Sequence, residues 1–163
     1  MKKTAILAVI CAILPMFVSA QTASNNNAKE KNMQEVNDFL KSCGTYFLAT
    51  TDGDQPRVRP FGTINIFDNK LYIQTGKVKK VAKQIAKNPK IEICAYDGKS
   101  QWIRIQAVAV ADERREAKES MLNAYPSLKS MYSADDDNTL LLSLTQVTAT
   151  IEQFGGEPKV LTF

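Results

Sequence analysis

From Thr45 onward the chain alternates short runs of β-branched and aromatic residues with clusters of turn formers, and no other feature limits its possible folds as strongly. TYFLATT (45–51), RVRPFGTINIF (57–67) and LYIQT (71–75) read as strands, separated by the turn chemistry of DGDQP (52–56) and DNK. After a helical interlude the pattern resumes with KIEICAYD (90–97), a DGKS turn and QWIRIQAVAVAD (101–112), and it closes with TLLLSL, QVTATIEQF and KVLTF around GGEP. Links this short join antiparallel neighbours, whereas a parallel pair needs a long crossover. The expected fold is therefore mainly β, an antiparallel, Greek-key-like β-barrel with peripheral helices rather than a doubly wound parallel sheet.

The helices are few and fall at the edges of this pattern. Met33, Val36, Phe39, Leu40 and Cys43 recur at helical spacing, and Gly44 follows where a C-terminal cap belongs. Val78, Val81, Ala82 and Ile85 mark one face of a second helix that stops at Asn88-Pro89, and Glu113 to Ala124 form a charged third. A chain of 163 residues suits one domain, assigned here to 32–163. The polar stretch QTASNNNAKEK (21–31) before it reads as a disordered tether. Residues 1–20, MKKTAILAVICAILPMFVSA, combine two lysines, an apolar run, a proline break and a small-x-small ending. They read as a secretory signal peptide cut after Ala20, which implies a secreted or periplasmic protein with no stable membrane insertion after cleavage.

Composition removes whole classes of function. Loss of Lys2 and Lys3 with the leader would lower the formal charge from +4 to +2, too little basic excess for a nucleic-acid binder. There is no histidine, which excludes Ser-His-Asp and Cys-His machinery, histidine-based zinc or iron sites, and histidine ligation of haem. Cys43 and Cys94 alone cannot build a structural zinc site, and DDDN (135–138) lacks the glycine and glutamate of a calcium loop, so no metal is expected. Redox or transfer chemistry here would need an organic cofactor.

One region asks for such a ligand. Arg57 and Arg59 lie on one arm of the hairpin made by the second and third strands, and TGKVKK (75–80) follows the other arm. An arginine fork, lysine charges and the free N–H groups of a helix start suit a phosphate. The same lysines also suit a solvated helix face, and the residues alone leave both readings open.

QPRVRPFGTINIFDNKLYIQTGKVKKVAKQIAKNPKIEI resembles the FMN-binding split-barrel family, the pyridoxamine 5′-phosphate oxidase-like proteins, in its Arg-Pro segment, short hairpin, aromatic-x-x-Thr strand end, basic helix start and Asn-Pro stop. The similarity continues through AYDGKSQWIRIQAVAVADERREA to GGEPKVLTF, and within the family it points to the small oxidase-like and nitroimidazole-reductase-like group. The resemblance implies an FMN cofactor whose phosphate is held by Arg59 and Lys80, with Lys79 or Lys77 assisting. It implies that Pro60, Phe61 and Gly62 run along the isoalloxazine ring and that Gln74 and Thr75 meet its pyrimidine edge or the ribityl chain. It implies a homodimer with the flavin between subunits, so that Trp102 and Arg104 reach the partner's cofactor. The function it implies is an FMN-dependent oxidoreductase acting on a small-molecule substrate, the alternative being a non-catalytic flavin or haem carrier that uses the same cleft. The ending IEQFGGEPKVLTF carries neither the Arg nor the His of a substrate-phosphate site, which sets the chain apart from the pyridoxamine phosphate oxidases proper.

Overall fold

A computed structural model describes the backbone of residues 14–163 and side chains from residue 25 onward. Helix α1 (Leu14–Cys43) leads into β1 (Tyr46–Asp52), β2 (Gln55–Phe61), β3 (Asn65–Phe67) and β4 (Lys70–Gly76). Helix α2 (Lys80–Lys87), β5 (Lys90–Tyr96), β6 (Gln101–Asp112) and α3 (Arg115–Ala124) follow, then a 3₁₀ turn (Pro126–Ser130), β7 (Thr139–Gln153) and β8 (Lys159–Thr162). The strands form one 8-stranded sheet in the order β2-β1-β5-β6-β7-β4-β3, with β8 added to β7. Every pairing is antiparallel, as the short links require. Among the described residues β2 and β3, at opposite ends of the path, do not pair, so the sheet curls toward closure without reaching it, which is the split form of the expected barrel.

That split explains one difference from the sequence reading. RVRPFGTINIF is not one strand, because β2 pairs with β1 and β3 pairs with β4, and Gly62, Thr63 and Ile64 cross between the two ends of the sheet. The crossing is pinned from three sides. The Tyr46 hydroxyl donates to Thr63 O at 2.6 Å, Tyr125 bonds both Ile64 N and Ile64 O, and Gln74 N donates to Thr63 Oγ1 at 3.2 Å. The opposite difference occurs late in the chain, where TLLLSL and QVTATIEQF join into the single strand β7. Gln146 takes φ 52 within it, near the point where the register against β6 shifts between Gln106 and Val108.

The barrel interior is filled by Leu48, Ile73, Ile93, Ile103, Ile105, Leu142 and Ala149, all at most 1% exposed. Val36 and Leu40 of α1 and Val81 and Ile85 of α2 join the same cluster. A smaller cluster of Tyr72, Leu141, Ala117 and Met121 lies between α3 and the outer faces of β4 and β7. Covering on both faces is why LYIQT and TLLLSL read as continuous apolar runs rather than alternating ones.

Helix α1 is longer than its apolar stripe, and residues 21–31, expected as a disordered tether, are helical. Met33, Val36 and Leu40 anchor the packed end, and a helix extends from an existing turn at little cost per residue, through Ala28, Lys29, Glu30 and Lys31. Polarity did forecast the lack of burial, since 25–31 are exposed throughout. Gly44, at φ 70, ends the helix in the left-handed conformation of a C-terminal cap. The leader assigned to residues 1–20 lies mostly outside the described residues. Among the described residues, no helix is long and apolar enough to cross a membrane.

Candidate functional site

Where β2 leaves the sheet and β4 hands over to α2, the surface opens into a cleft of about 270 Å³. Arg59, Pro60, Phe61 and Gly62 form one wall, and Gln74, Thr75 and Lys79 form the facing one. The sequence placed these residues on two arms of one hairpin; the curl of the sheet brings them together instead. Leu128, Met131 and Tyr132, from the 3₁₀ turn and the loop after it, close a third side. No sequence motif marks that segment.

The cleft has a basic end without acid. Among the described residues Arg59 is bound only by neutral acceptors: Leu48 O at 3.1 Å, Thr50 Oγ1 at 2.7 Å and Gln84 Oε1 at 2.8 Å. Among the described residues no carboxylate pairs with it, and burial together with the nearby Arg57 lowers the guanidinium pKa from its ordinary value. Its Nε–H and second Nη2–H have no partner among the described residues. Lys79 sits at the N-cap of α2 without a side-chain cap, its ammonium 5.9 Å from the centre of the Tyr132 ring. In its first turn Lys79 N donates to Gly76 O and Ala82 N to Lys79 O, while the N–H groups of Lys80 and Val81 have no main-chain acceptor among the described residues.

The other lysines divide by role. Lys77 bonds Glu113 at 2.8 Å, a structural ion pair directed away from the cleft. Lys80 begins α2 on its exposed side and does not line the cleft, so Lys79 is the lysine the fold places there. The handover from β4 to α2 is shaped by Asn138, whose main-chain oxygen accepts from Lys77 N at 2.8 Å and whose Oδ1 accepts from Val78 N at 3.2 Å. A Cβ on Gly76 would meet that Oδ1 at 3.0 Å, so any larger residue would push on the Asn138 side chain that shapes the handover. Asp136 in turn accepts from the backbone N–H groups of Ser133, Asn138 and Thr139. DDDN thus braces the cleft's basic end.

Deeper in the cleft, Gln74 is 6% exposed, and neither its Oε1 nor its Nε2 has a hydrogen-bond partner. A buried primary amide left unpaired costs free energy, and in native proteins such groups are rare enough to require an explanation. Here the amide borders an open cleft, so a ligand with both donor and acceptor atoms would satisfy it. The donor set therefore fits FMN, with anion-binding groups at one end and amide and hydroxyl groups at the other. Among the described residues, no cluster of His, Cys, Asp or Glu could hold a metal ion.

Trp102 and Arg104 lie elsewhere, on the outer face of β6. Trp102 Nε1 donates to Glu152 Oε2 at 2.6 Å, Arg104 Nη2 donates to Glu152 Oε1 at 2.8 Å, and the indole packs on Phe154 at 5.1 Å. Neither lines the cleft of its own chain. Among the described residues Cys43 and Cys94 are unpaired. Of the tyrosines, Tyr46 and Tyr125 clamp the crossing segment, and Tyr72 donates to Asp112 at 2.8 Å within an ion network around Arg114. Only Tyr132 faces the cleft.

Comparison with known proteins agrees with this architecture. A NimC/NimA family protein from Clostridium acetobutylicum is 44% identical, with a TM-score of 0.82 over 86% of this chain and 98% of that one. A pyridoxamine 5′-phosphate oxidase-related, FMN-binding protein from Nostoc punctiforme shares the fold at 17% identity, with a TM-score of 0.54 over 80% of this chain and 93% of that one. A haem-binding protein from Mycobacterium smegmatis does so at 15% identity, with a TM-score of 0.59 over 83% of this chain and 57% of that one. None of the curated proteins matches in sequence. The family profile described as pyridoxamine 5′-phosphate oxidase spans residues 33–154, from the packed end of α1 to the end of β7, and the chain belongs to that pyridoxamine 5′-phosphate oxidase-like family.

Proposed function

We propose that this protein is an exported homodimeric flavoprotein that binds FMN in the cleft and acts as an oxidoreductase on a small-molecule substrate. The observation that carries the reading is a guanidinium without a counter-charge and a buried amide without a partner in the same cleft. Arg59 and Lys79, with the α2 start, would hold the phosphate; Gln74 and Thr75 would hydrogen-bond the heterocycle or ribityl chain; Pro60 to Gly62 would lie along the ring. Lys80, exposed beside them, adds charge to the approach. A fold relative described as FMN-binding supports the assignment.

Bound there, FMN supplies reversible electron transfer that the side chains themselves cannot. The chain's contribution is orientation and charge. Pro60 has no N–H, so any main-chain donor from that wall comes from Phe61 or Gly62. Phe61 and Val81 line the cleft and exclude water from its apolar part.

Dimerisation fits the size of the cleft and the outer sheet face. At about 270 Å³, the open cleft sits at the lower end of the roughly 300–1,000 Å³ that enclose a drug-sized ligand, which leaves a second copy room to complete the enclosure. One register row of the outer face runs Pro60, Phe47, Cys94, Arg104, Thr150, Val160. Phe47 on this face is 51% exposed and Tyr96 is 54% exposed. The face starts at the cleft wall and carries Trp102 and Arg104, which a second copy could bring to the first copy's cofactor.

The test is to load the protein with FMN, reduce it anaerobically and follow reoxidation by a nitroimidazole. Reoxidation faster than that of free reduced FMN supports an enzyme. Retained FMN without acceleration makes the protein a carrier, and no retained FMN removes the cofactor assignment.

A further inference from the structure

Arg59 reaches the cleft through a closed triangle of hydrogen bonds. Its Nη1 donates to Thr50 Oγ1, its Nη2 donates to Gln84 Oε1, and the Thr50 hydroxyl donates to that same Gln84 oxygen at 2.7 Å. Thr50 of β1 is 4% exposed and Gln84 of α2 is 5% exposed, so the triangle has two buried corners and a half-buried one at Arg59, and it ties two strands to the helix. A cation partly withdrawn from water is commonly paired with an acid. Here the nearby acid Asp52 goes to Arg57 at 3.7 Å, and Arg59 is left with neutral oxygens.

We infer that Gln84 and Thr50 are positioning residues for anion binding: they fix the Arg59 fork by neutral hydrogen bonds and so leave its full charge for a phosphate in the cleft. A glutamate at position 84 could accept the same two hydrogen bonds, and its carboxylate would stabilise the half-buried guanidinium better than an amide does. It would also cancel the charge that attracts the ligand. The amide is therefore the choice that favours binding over the stability of the empty protein. Gln84 also lies on the helix whose first turn borders the cleft, so the triangle couples the fork to the other anion-binding element. The inference rests on the phosphate reading above and assigns roles to two residues outside the cleft lining.

The test compares Gln84→Glu, Thr50→Val, Thr50→Ser and Arg59→Ala with the wild-type protein, using FMN, riboflavin and inorganic phosphate as probes and thermal unfolding without ligand as the second readout. Gln84→Glu is expected to unfold at the wild-type temperature or above it, to bind FMN about ten- to hundredfold more weakly, and to bind riboflavin unchanged. Thr50→Val should weaken FMN selectively, and Thr50→Ser should restore it. Wild-type FMN affinity in Gln84→Glu overturns the inference, as does equal loss of FMN and riboflavin, which marks a merely structural role. If Arg59→Ala binds FMN normally, the phosphate reading of the cofactor fails separately, and inorganic phosphate decides the inference. Phosphate protection of the wild type that is absent in Gln84→Glu supports it, and equal protection of both, or none of either, overturns it.

Discussion

Replacing Gln74 by methionine should stabilise the ligand-free protein and weaken its hold on FMN, two effects of opposite sign from one side chain. The amide is 6% exposed on β4, and both of its polar atoms lack partners. Methionine has a similar length and an unbranched, adaptable side chain, so it fills the space without the desolvation penalty. An unsatisfied buried polar group costs about 1–3 kcal/mol. For a chain of this size that corresponds to a rise in Tm of roughly 2–10 °C. The backbone bond from Gln74 N to Thr63 Oγ1 is unaffected, so the crossing segment stays in place. With FMN bound, the amide gains its partners and methionine cannot, so affinity should fall about ten- to thirtyfold. Thermal unfolding with and without FMN, together with a fluorescence titration of the flavin, reads both effects. A lower Tm for ligand-free Gln74→Met would refute the reasoning, because it would mean that the amide already has a partner in the empty cleft.

Three further outcomes follow from the same geometry. Lys79→Ala should reduce FMN affinity selectively over riboflavin, whereas Lys77→Ala should leave affinity unchanged and cost about 0–1 kcal/mol through its exposed bridge to Glu113, as denaturant melts with and without ligand would show. Burial works against the Asp136 charge, but the N–H groups of Ser133, Thr139 and Asn138 outweigh it and hold the carboxyl down to about 2. Its stabilisation is therefore complete above an unfolded value of about 3.9 and is lost as pH falls toward 2, so Asp136→Asn should flatten that part of the stability–pH curve measured by denaturant melts. Phe47→Glu should convert a dimer to a monomer in light scattering, and it should abolish quenching of Trp102 emission by added FMN, Trp102 being the only tryptophan.

The sheet was legible because turn residues mark its hairpins directly: Asp68 and Asn69 take φ 50 and 51 between β3 and β4, as a tight turn at DN demands. The break at Gly62 was not legible, since a strand that changes partner keeps its β composition, and only tertiary pairing shows where β2 ends. Helical residues 25–31 escaped notice for the converse reason, because an exposed polar helix has no apolar period to read. In the site, the Arg-Pro and TGKVKK segments singled out from the sequence both border the cleft. It could not tell Lys79 from Lys80, because adjacent helix-start residues differ only in where the backbone aims them. Gln84 and Thr50 were invisible for a related reason: a glutamine on a helix and a threonine in a strand are ordinary until the fold places both against Arg59.

The most direct test of the whole account is the visible absorption spectrum of the purified protein after FMN is added and unbound ligand removed, run beside Arg59→Ala. The account predicts flavin bands at an equimolar ratio to the chain in the wild type and their loss in Arg59→Ala. A colourless wild-type protein, or bands retained equally in Arg59→Ala, would contradict it.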